Sequence, residues 1–294
     1  MPAVTAHLLD ASPFLFRAYF ALPETLVDPE GRPVNAVFGF LGFLNRYLAE
    51  QHPTHAAVAF DRSLTTSFRN GIFPGYKAGR ELPPPELERQ QGACRAVADA
   101  LGLCTLDDPL YEADDLIAAL HARLRAAGHR VVVVSSDKDL GQLVDEGTVL
   151  YDFARNERYG PAEIEARFGV RPDQLADFLG LAGDPVDDIP GVAGIGRKGA
   201  AALIRAFGTL DGVYARLDDV PDLPLRGARA MAVKLAAGRE AAFLSRRLAL
   251  LAREAPVPEA LDDLRVQRPE RRRVEPLFKR LGFEGSLARV PNLA

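Results

Sequence analysis

RVVVVSSDKDL, residues 130–140, joins the most apolar short run of the chain to two aspartates. Four consecutive valines predict a strand, because β-branched residues favour extended structure. Similar apolar runs occur in TAHLLD (5–10), HAAVAFD (55–61) and TVLYDF (148–153). These four runs are the predicted strands of a central sheet.

Helical patterns lie between and after those strands. The segments AVFGFLGFLNRYLAEQ (36–51) and EADDLIAALHARLRAAG (112–128) repeat apolar residues at the helical period. Strands that alternate with helices predict an α/β fold with a mostly parallel central sheet flanked by helices, here over residues 1–170. From about residue 161 short helices joined by Gly and Pro turns replace the strand pattern, which predicts a helical subdomain over residues 171–294.

The composition is ordinary for a globular protein. The 294 residues include two cysteines, carry a net charge of -4 and contain no run of 18 apolar residues. We therefore expect no disulfide framework, no membrane span and a cytoplasmic location. Between residues 197 and 247, ten basic residues stand against five acidic ones. This local excess favours a polyanionic partner, with a solvated helical surface as the alternative.

Carboxylates stand at the ends of three predicted strands, at Asp10, Asp61 and Asp137. The carboxyl ends of parallel strands meet at one edge of a sheet, so these side chains should converge. Further acidic residues lie in YEADD (111–115), SSDKDL and GDPVDD, and they are Glu112, Asp114, Asp115, Asp139, Asp184 and Asp187. Helix capping explains any one of these motifs, but not all of them together.

So many carboxylates in one place require a cation among them, because like charges repel and raise one another's pKa. Hard oxygen ligands without His or Cys select Mg²⁺ or Mn²⁺ rather than zinc. Such a site is typical of two-metal hydrolysis of a phosphodiester, which needs no histidine as general base. The sequence contains no HExxH motif, no nucleophile elbow and no P-loop.

A long polar segment, RSLTTSFRNGIFPGYKAGRELPPPE, occupies residues 62–86. Its basic and aromatic side chains are Arg62, Arg69, Phe73, Tyr76, Lys77 and Arg80. Basic side chains interleaved with aromatic rings suit single-stranded nucleic acid, since the cations pair with phosphates while the rings stack on bases. The alternative interpretation is a mobile surface loop.

The stretch GIGRKG at residues 194–199 matches the dinucleotide fingerprint G-x-G-x-x-G. In that fingerprint a buried strand leads into the first glycine. Here the preceding residues are LAGDPVDDIPGVA (181–193), which have no strand pattern. The glycines therefore indicate a phosphate held at the start of a helix, but not the phosphate of a dinucleotide cofactor.

Five motifs together carry a family resemblance. They are LLDASPFLFRAYFAL, VAFD with SFR and GYKAGR, YEADD, SSDKDLGQL and GDPVDDIPGVAGIGRKGAAALI, in this order. They resemble the 5′-nuclease (flap endonuclease) family, in particular the 5′→3′ exonuclease domain of bacterial DNA polymerase I. The resemblance implies a PIN-like or resolvase-like α/β core with a helical arch at about residues 62–95. It also implies a helix-hairpin-helix (helix-3-turn-helix) motif at about residues 184–207 of the helical subdomain.

The resemblance implies two Mg²⁺ sites, in which Mn²⁺ can substitute. The first set of ligands is Asp10, Asp61, Glu112 and Asp114, and the second set is Asp115, Asp137, Asp139, Asp184 and Asp187. Lys77 and Arg80 match the basic pair of the arch, and Arg17 matches an active-site arginine on the first helix. These three residues are the predicted catalytic cations.

The predicted DNA contacts also come from the family pattern and from the polar segment. They are Arg69, Tyr76, Gly191, Gly194, Gly196, Arg197 and Lys198, with Tyr76 as an aromatic available for stacking. In some family members the carbonyls of the hairpin turn hold K⁺, which makes potassium a further candidate ligand here. Three residues depart from the family pattern, namely Ala11, Leu110 and Asp188, and the last adds negative charge beside the second metal set.

The expected activity is that of a structure-selective 5′→3′ exonuclease and 5′-flap endonuclease in DNA replication and repair. Its substrates would be DNA with 5′ flaps, nicks or gaps, and the protein is expected to be a monomer with a DNA polymerase as candidate partner. Two alternatives stay open: a branched-DNA-binding module without catalysis, and a PIN-type ribonuclease. The chain is expected to be either a free-standing nuclease or a domain of a longer polymerase, and Met1 favours the first.

Overall fold

The computed structural model describes residues 3–63 and 66–294. Met1, on which the expectation of a free-standing nuclease depends, lies outside the described residues. Six strands form one sheet in the order β3-β2-β1-β4-β5-β6. They are β1 (Thr5–Asp10), β2 (His55–Ala59), β3 (Cys104–Leu106), β4 (Arg130–Val134), β5 (Thr148–Asp152) and β6 (Glu157–Tyr159). Strands β1 to β5 are parallel, and β6 is antiparallel to β5. The predicted mostly parallel sheet is confirmed.

All four predicted strands are present, and two strands were not predicted. Strands β2 and β4 end at Ala59 and Val134, two and three residues before the aspartates that follow them. Both missed strands, β3 and β6, contain three residues each and are largely half-buried or exposed. Such short strands have too few residues to show a two-residue alternation.

Helices cover both faces of the sheet. The first five are α1 (Ser12–Ala21), α2 (Asn35–Gln51), α3 (Phe68–Ile72), α4 (Pro85–Ala100) and α5 (Ala113–Ala126). Leu9 of β1 is buried with α1, α2 and α4, whereas its neighbour Leu8 is buried with α5. Successive strand residues point to opposite faces, so the sheet has a core on each side.

The second part of the chain is helical. Its helices are α6 (Pro161–Phe168), α7 (Leu175–Ala182), α8 (Arg197–Phe207), α9 (Leu210–Ala215), α10 (Ala228–Ala237), α11 (Arg239–Ala249) and α12 (Arg271–Leu281). Short 3-10 helices lie at 139–143, 172–174, 217–222, 261–264 and 284–289. Helix α7 packs against α8 and α11, and their apolar residues continue the core on the α5 side of the sheet.

The last 30 residues return to the α/β part. The Val266 N–H donates to the Thr54 carbonyl, and the Gln267 N–H donates to the Gly102 carbonyl. Phe278 of α12 is fully buried among residues of α2 and α4. The residues predicted to end the helical subdomain therefore pack on the α/β part, and the boundary near residue 170 stays a prediction. No helix in the described ranges is long and apolar enough to cross a membrane.

Candidate active site

A cavity opens where the parallel strands end. Asp10 is the last residue of β1 and lies opposite Ala59 of β2, so Asp61 follows at the same edge of the sheet. Leu9 lies opposite Val134 of β4, which places Asp137 there as well. The cavity has a volume of about 370 Å³, and its walls include six of the nine predicted metal ligands: Asp10, Asp61, Glu112, Asp114, Asp137 and Asp187.

Two serines orient the strand-end carboxylates. The Ser12 hydroxyl donates to Asp61 Oδ2 at 2.6 Å, and the Ser135 hydroxyl donates to Asp10 Oδ2 at 2.8 Å. The Ala113 N–H, in the first turn of α5, donates to Asp61 Oδ1 at 2.8 Å. Neither serine was among the predicted site residues. Their position in the sequence could have indicated them, because each serine stands two residues from a strand-end aspartate. At that spacing the side chain of one residue commonly forms a hydrogen bond with the backbone N–H of the other.

Burial and mutual repulsion favour the neutral forms of these carboxyl groups. Burial, followed by the charge of Asp61, raises the pKa of Asp10 to about 8. The pKa of Asp114 lies well above its ordinary value because of burial and the charges of Asp137, Asp10 and Asp61. Burial also raises the pKa of Asp61 and of Asp137. A cation among these groups would relieve the repulsion.

Cationic side chains of the chain itself lie at the edge of this cluster. Lys77 Nζ bonds to Glu112 Oε1 and lies 3.9 Å from Asp187 Oδ2. Arg80 pairs with the same Asp187. Although burial alone would raise the pKa of Glu112, Lys77 and Arg69 hold that pKa below its ordinary value.

The donor set has the chemistry of a hard divalent cation site, because it consists of carboxylate oxygens and includes Asp10 and Asp114, whose pKa values are raised by neighbouring carboxylates. As the side chains stand, residues 3–63 and 66–294 contain no group of three or more His, Cys, Asp or Glu that could hold one ion. Ammonium groups pair with two of the predicted ligands instead: Lys77 with Glu112, and Lys138 with Asp184 at 2.8 Å. The residues fit the ion by chemistry, and ligation requires them to rearrange.

Asp115 was predicted to be a metal ligand, but the structure places it away from the cavity. Its side chain is fully buried, and the Arg69 guanidinium donates to both carboxylate oxygens at 2.7 Å. The Ala252 N–H donates to Asp115 Oδ1 at 2.9 Å. Arg69, predicted to contact DNA, is itself 2% exposed and also donates to the Leu248 carbonyl. The structure thus pairs the two side chains with each other inside the core, an arrangement in which Asp115 does not face the cavity and Arg69 does not face solvent.

Tyr76 and Arg17 also differ from their predictions. Tyr76 is 4% exposed, and its hydroxyl donates to Glu112 Oε2 at 3.0 Å, so its ring is not available for stacking on a base. Arg17 is exposed on the side of α1 that faces Arg46 and Phe153, away from the carboxylates. The neighbouring Phe16 of α1 faces the cavity instead.

The remaining predicted ligands lie beside the cavity rather than in its wall. Asp139 is half-buried, and its N–H donates to Asp137 Oδ1 at 2.8 Å. Burial and the charge of Asp137 raise the pKa of Asp139 to about 7. Asp184 is 2% exposed and is held by Lys138.

The predicted arch is shorter than expected. Helix α4 falls mostly within residues 62–95, but its Leu87, Gln90 and Cys94 are buried against α2. The Gln90 amide accepts the Ala36 N–H at 2.8 Å, which fixes α4 in the core. Within the described part of residues 62–95, this leaves residues 62–63 and 66–84 to border the cavity on this side.

An apolar rim, which the sequence analysis missed, flanks the cavity mouth. Phe20 and Leu82 line the cavity and are 71% and 78% exposed. Phe16 and Phe20 stand four residues apart on α1, opposite the buried Phe14 and Leu15. Two phenylalanines four residues apart, on the helix face opposite the buried residues, could have indicated this rim from the sequence.

The predicted hairpin turn joins α7 and α8. Gly194 and Gly196 are exposed at the turn, and Arg197 and Lys198 are exposed in the first turn of α8. Gly191 is different, because it is buried and its N–H donates to Ser245 Oγ at 2.9 Å. A Cβ at Gly191 would lie 2.4 Å from the Gly183 nitrogen, so this glycine permits close packing rather than the predicted DNA contact.

Two family models match the sequence in order. Residues 5–169 match the 5′-3′ exonuclease N-terminal resolvase-like domain, and residues 170–272 match the 5′-3′ exonuclease C-terminal SAM fold. DNA polymerase I of Bacillus caldotenax is 41% identical over 288 residues, 96% of this chain and 32% of the relative. DNA polymerase I of Pseudomonas aeruginosa is 41% identical over 283 residues, 95% of this chain and 31% of the relative. The chain thus spans about a third of the length of these curated relatives.

Solved structures share the fold. The 5′-exonuclease of phage T5 with bound zinc has a TM-score of 0.67 at 20% identity, over 94% of this chain and 99% of that one. The catalytic core of Rad2 in complex with a DNA substrate has a TM-score of 0.64 at 14% identity, over 99% of this chain and 93% of that one. The two matched models and the identity to the polymerases lead to one conclusion: this chain belongs to the 5′-3′ exonuclease family.

Proposed function

We propose that this family member is a 5′→3′ exonuclease and 5′-flap endonuclease that hydrolyses DNA at flaps, nicks and gaps. The observation that carries the proposal is the cavity at the strand ends, where six carboxylates converge and two cationic side chains lie at the edge. Carboxylates that raise one another's pKa suit a divalent-metal nuclease site.

The proposed ion is Mg²⁺, with Mn²⁺ as a substitute. Its proposed ligands are the six carboxylates of the cavity wall, Asp10, Asp61, Glu112, Asp114, Asp137 and Asp187, with Asp139 and Asp184 beside them. When bound, such ions activate water and polarise the scissile phosphate as Lewis acids. Ser12 and Ser135 orient the Asp61 and Asp10 side chains at the cavity wall by donating one hydrogen bond to each.

Lys77 and Arg80 are the proposed catalytic cations. In the free protein their charges pair with Glu112 and Asp187. A scissile phosphate in the cavity offers these cations a new partner, and two fixed positive charges stabilise the negative charge that develops on it. The exposed Phe20 and Leu82 offer an apolar surface for an unpaired base at the cavity mouth.

The hairpin turn is the proposed duplex contact. Gly194, Gly196, Arg197 and Lys198 are exposed where α8 begins, and helix N–H groups and basic side chains bind phosphates without reading sequence. A potassium ion on the turn carbonyls is a further part of the proposal. The Lys234 ammonium donates to the Gly194 carbonyl at 3.1 Å and would compete with that ion. Duplex affinity in KCl against NaCl at equal ionic strength tests this, because a bound K⁺ makes the two differ.

The same proposal includes the cellular setting. The curated relatives are DNA polymerases, so a DNA polymerase is the proposed protein partner in replication and repair. A monomeric state is proposed as well. The two free cysteines favour a cytoplasmic location.

Cleavage of labelled flap, nicked, gapped and single-stranded DNA, with Mg²⁺ and with EDTA, tests the activity. With Mg²⁺ we expect products released from the 5′ end of the flap, nicked and gapped substrates, and with EDTA we expect no products. The Asp137→Ala variant should bind duplex but not cleave, while Asp173→Asn serves as the matched control because Asp173 pairs with the exposed Arg171 on the surface. Cleavage at the wild-type rate by Asp137→Ala would contradict the site assignment.

Two other outcomes of the same assay identify the alternatives. Binding without cleavage on every substrate, in Mg²⁺ and in Mn²⁺, indicates a branched-DNA-binding module. Faster cleavage of RNA flaps than of DNA flaps at matched salt indicates a PIN-type ribonuclease.

A further inference from the structure

The segment 76–80, which carries both proposed catalytic cations, is docked on the acidic loop 184–188. The Lys77 N–H donates to the Asp187 carbonyl at 3.0 Å, and the Arg80 Nε donates to the Val186 carbonyl at 3.4 Å. Between these two contacts the Gly79 N–H donates to Asp188 Oδ2 at 2.7 Å. That bond joins the two segments through a side chain, and it is a charge-assisted hydrogen bond.

Asp188 is held in an unusual backbone conformation. Its φ is 55°, in the left-handed region that only Gly, Asn and Asp adopt readily. Gly79 fits closely against it: the three atoms nearest to a Cβ at Gly79 all belong to the Asp188 carboxylate, with the two oxygens at 3.1 and 3.2 Å. The Asp188 carboxylate therefore lies directly against the Gly79 backbone, with one oxygen on the Gly79 N–H.

We propose that Asp188 is a positioning residue, whose carboxylate caps the Gly79 N–H and thereby holds Lys77 and Arg80 over the carboxylate cavity. This inference rests on the proposed nuclease function. Lys77 itself has a φ of 54°, so its backbone is kept in a strained conformation by its surroundings. Asp188 acts through Gly79 rather than by touching substrate.

A different role, in which Asp188 acts only by its negative charge near the metal ligands, makes opposite predictions. Asp188→Asn keeps a side-chain oxygen that accepts the Gly79 N–H and keeps the left-handed backbone, but removes the charge. Asp188→Gly allows the same backbone conformation without steric strain and removes the acceptor. The pair separates the hydrogen bond from the charge.

The test is single-turnover cleavage of a 5′-flap DNA in saturating Mg²⁺, together with the Kd for the same DNA in EDTA. We expect Asp188→Gly to cleave about tenfold more slowly, the effect of one hydrogen bond to a charged group, with its Kd and melting temperature close to wild type. Asp188→Asn should restore the rate to within about twofold, since its amide oxygen still accepts the bond.

A substitution at Gly79 tests the same hydrogen bond from the segment 76–80. Gly79→Ala pushes the carboxylate away by steric contact and should slow cleavage in the same direction. Added to Asp188→Gly, it should cost nothing more, because the atoms that it would meet are gone. If one single variant fails to fold, the rate of the other single variant still tests the bond, with Asp188→Asn as the control for charge.

Three results overturn the inference while leaving the nuclease proposal intact. They are a wild-type rate for Asp188→Gly, an equal loss for Asp188→Asn and Asp188→Gly, and full additivity of the two substitutions. Absence of cleavage by the wild-type protein itself would instead overturn the proposed function.

Discussion

Asp114 and Asp115 are neighbours in the first turn of α5, yet they lie in opposite environments. Asp114 faces the cavity, where burial and the charges of Asp137, Asp10 and Asp61 raise its pKa well above the ordinary value. Asp115 points into the core, where the Arg69 guanidinium donates to both of its oxygens at 2.7 Å. One residue along a helix turns a side chain by about 100°, which is enough to separate the two environments.

The comparison separates a proposed metal ligand, Asp114, from a carboxylate that is paired in the core, Asp115. The Asp115 carboxylate is neutralised by a cation from another part of the chain, so it needs no metal. Among residues 3–63 and 66–294, no guanidinium pairs with Asp10, Asp61 or Asp137, which lie around Asp114 and raise its pKa by repulsion. Such repulsion is a cost that a folded protein retains where function requires it. The same residue type thus stabilises the protein at one position and destabilises it at the next.

Asp114→Asn should give the largest effect. We expect flap cleavage in Mg²⁺ to fall about 10⁴-fold, or roughly 5 kcal/mol of transition-state stabilisation, because a proposed metal ligand is lost. Stability in EDTA should rise, since one of several repelling carboxylates is removed. Single-turnover cleavage and urea unfolding in EDTA measure the two quantities. A loss of stability without loss of cleavage would reverse the assignment of the two aspartates.

Arg69→Met should act on the other member of the pair. It leaves the Asp115 charge buried without its cation and should lower the free energy of unfolding by about 3 kcal/mol. Urea unfolding measures this loss. The double variant Arg69→Met/Asp115→Leu is the matched control, because an apolar pair of similar volume should recover most of the stability. Unchanged stability in Arg69→Met would show that Asp115 does not depend on this partner.

The sequence allowed a prediction of the sheet edge and of the cavity carboxylates, because strand ends and their aspartates are local features. It did not separate Asp115 from Asp114, since both belong to the same motif and Arg69 lies 46 residues away in sequence. Arg69 and Tyr76 were expected on the surface for the same reason: a polar, Gly-rich segment carries no sign of which side chains turn inward. Strand β3 and the return of α12 to α2 and α4 depend on tertiary packing, which local patterns do not encode.

The comparison also predicts how stability depends on pH without metal. The pKa of Asp10 is raised to about 8 and that of Asp139 to about 7, both above the ordinary value of 3.8. A raised folded pKa contributes stability that is complete below about pH 4 and is lost as the pH rises through 7 to 8. The melting temperature in EDTA should therefore fall as the pH rises from about 4 to about 8, by roughly 2–4 °C for each kcal/mol of stability lost.

Thermal unfolding from pH 4 to pH 9, with EDTA and with Mg²⁺, measures this dependence. Mg²⁺ should reduce the fall, because a bound ion favours the ionised carboxylates. The Asp114→Asn variant should show a shallower fall than the wild type in EDTA, since fewer charges repel one another. A melting temperature that rises from pH 5 to pH 8 in EDTA would contradict the raised pKa values.

The smallest expected effect is on duplex binding, and it compares an exposed cation with a buried one. Lys198 is exposed in the first turn of α8, whereas Arg69 is buried with its carboxylates. Lys198→Ala should weaken duplex binding severalfold and reduce the slope of log Kd against log salt by about 1, because one phosphate contact is lost. Arg69→Met, corrected for its folded fraction, should leave that slope unchanged, since a buried guanidinium releases no counterion on binding.

Titration of a fluorescent duplex at several KCl concentrations measures both slopes. Equal slopes for wild type and Lys198→Ala would remove the start of α8 from the DNA interface, and a reduced slope for Arg69→Met would mean that the core pair opens when DNA binds.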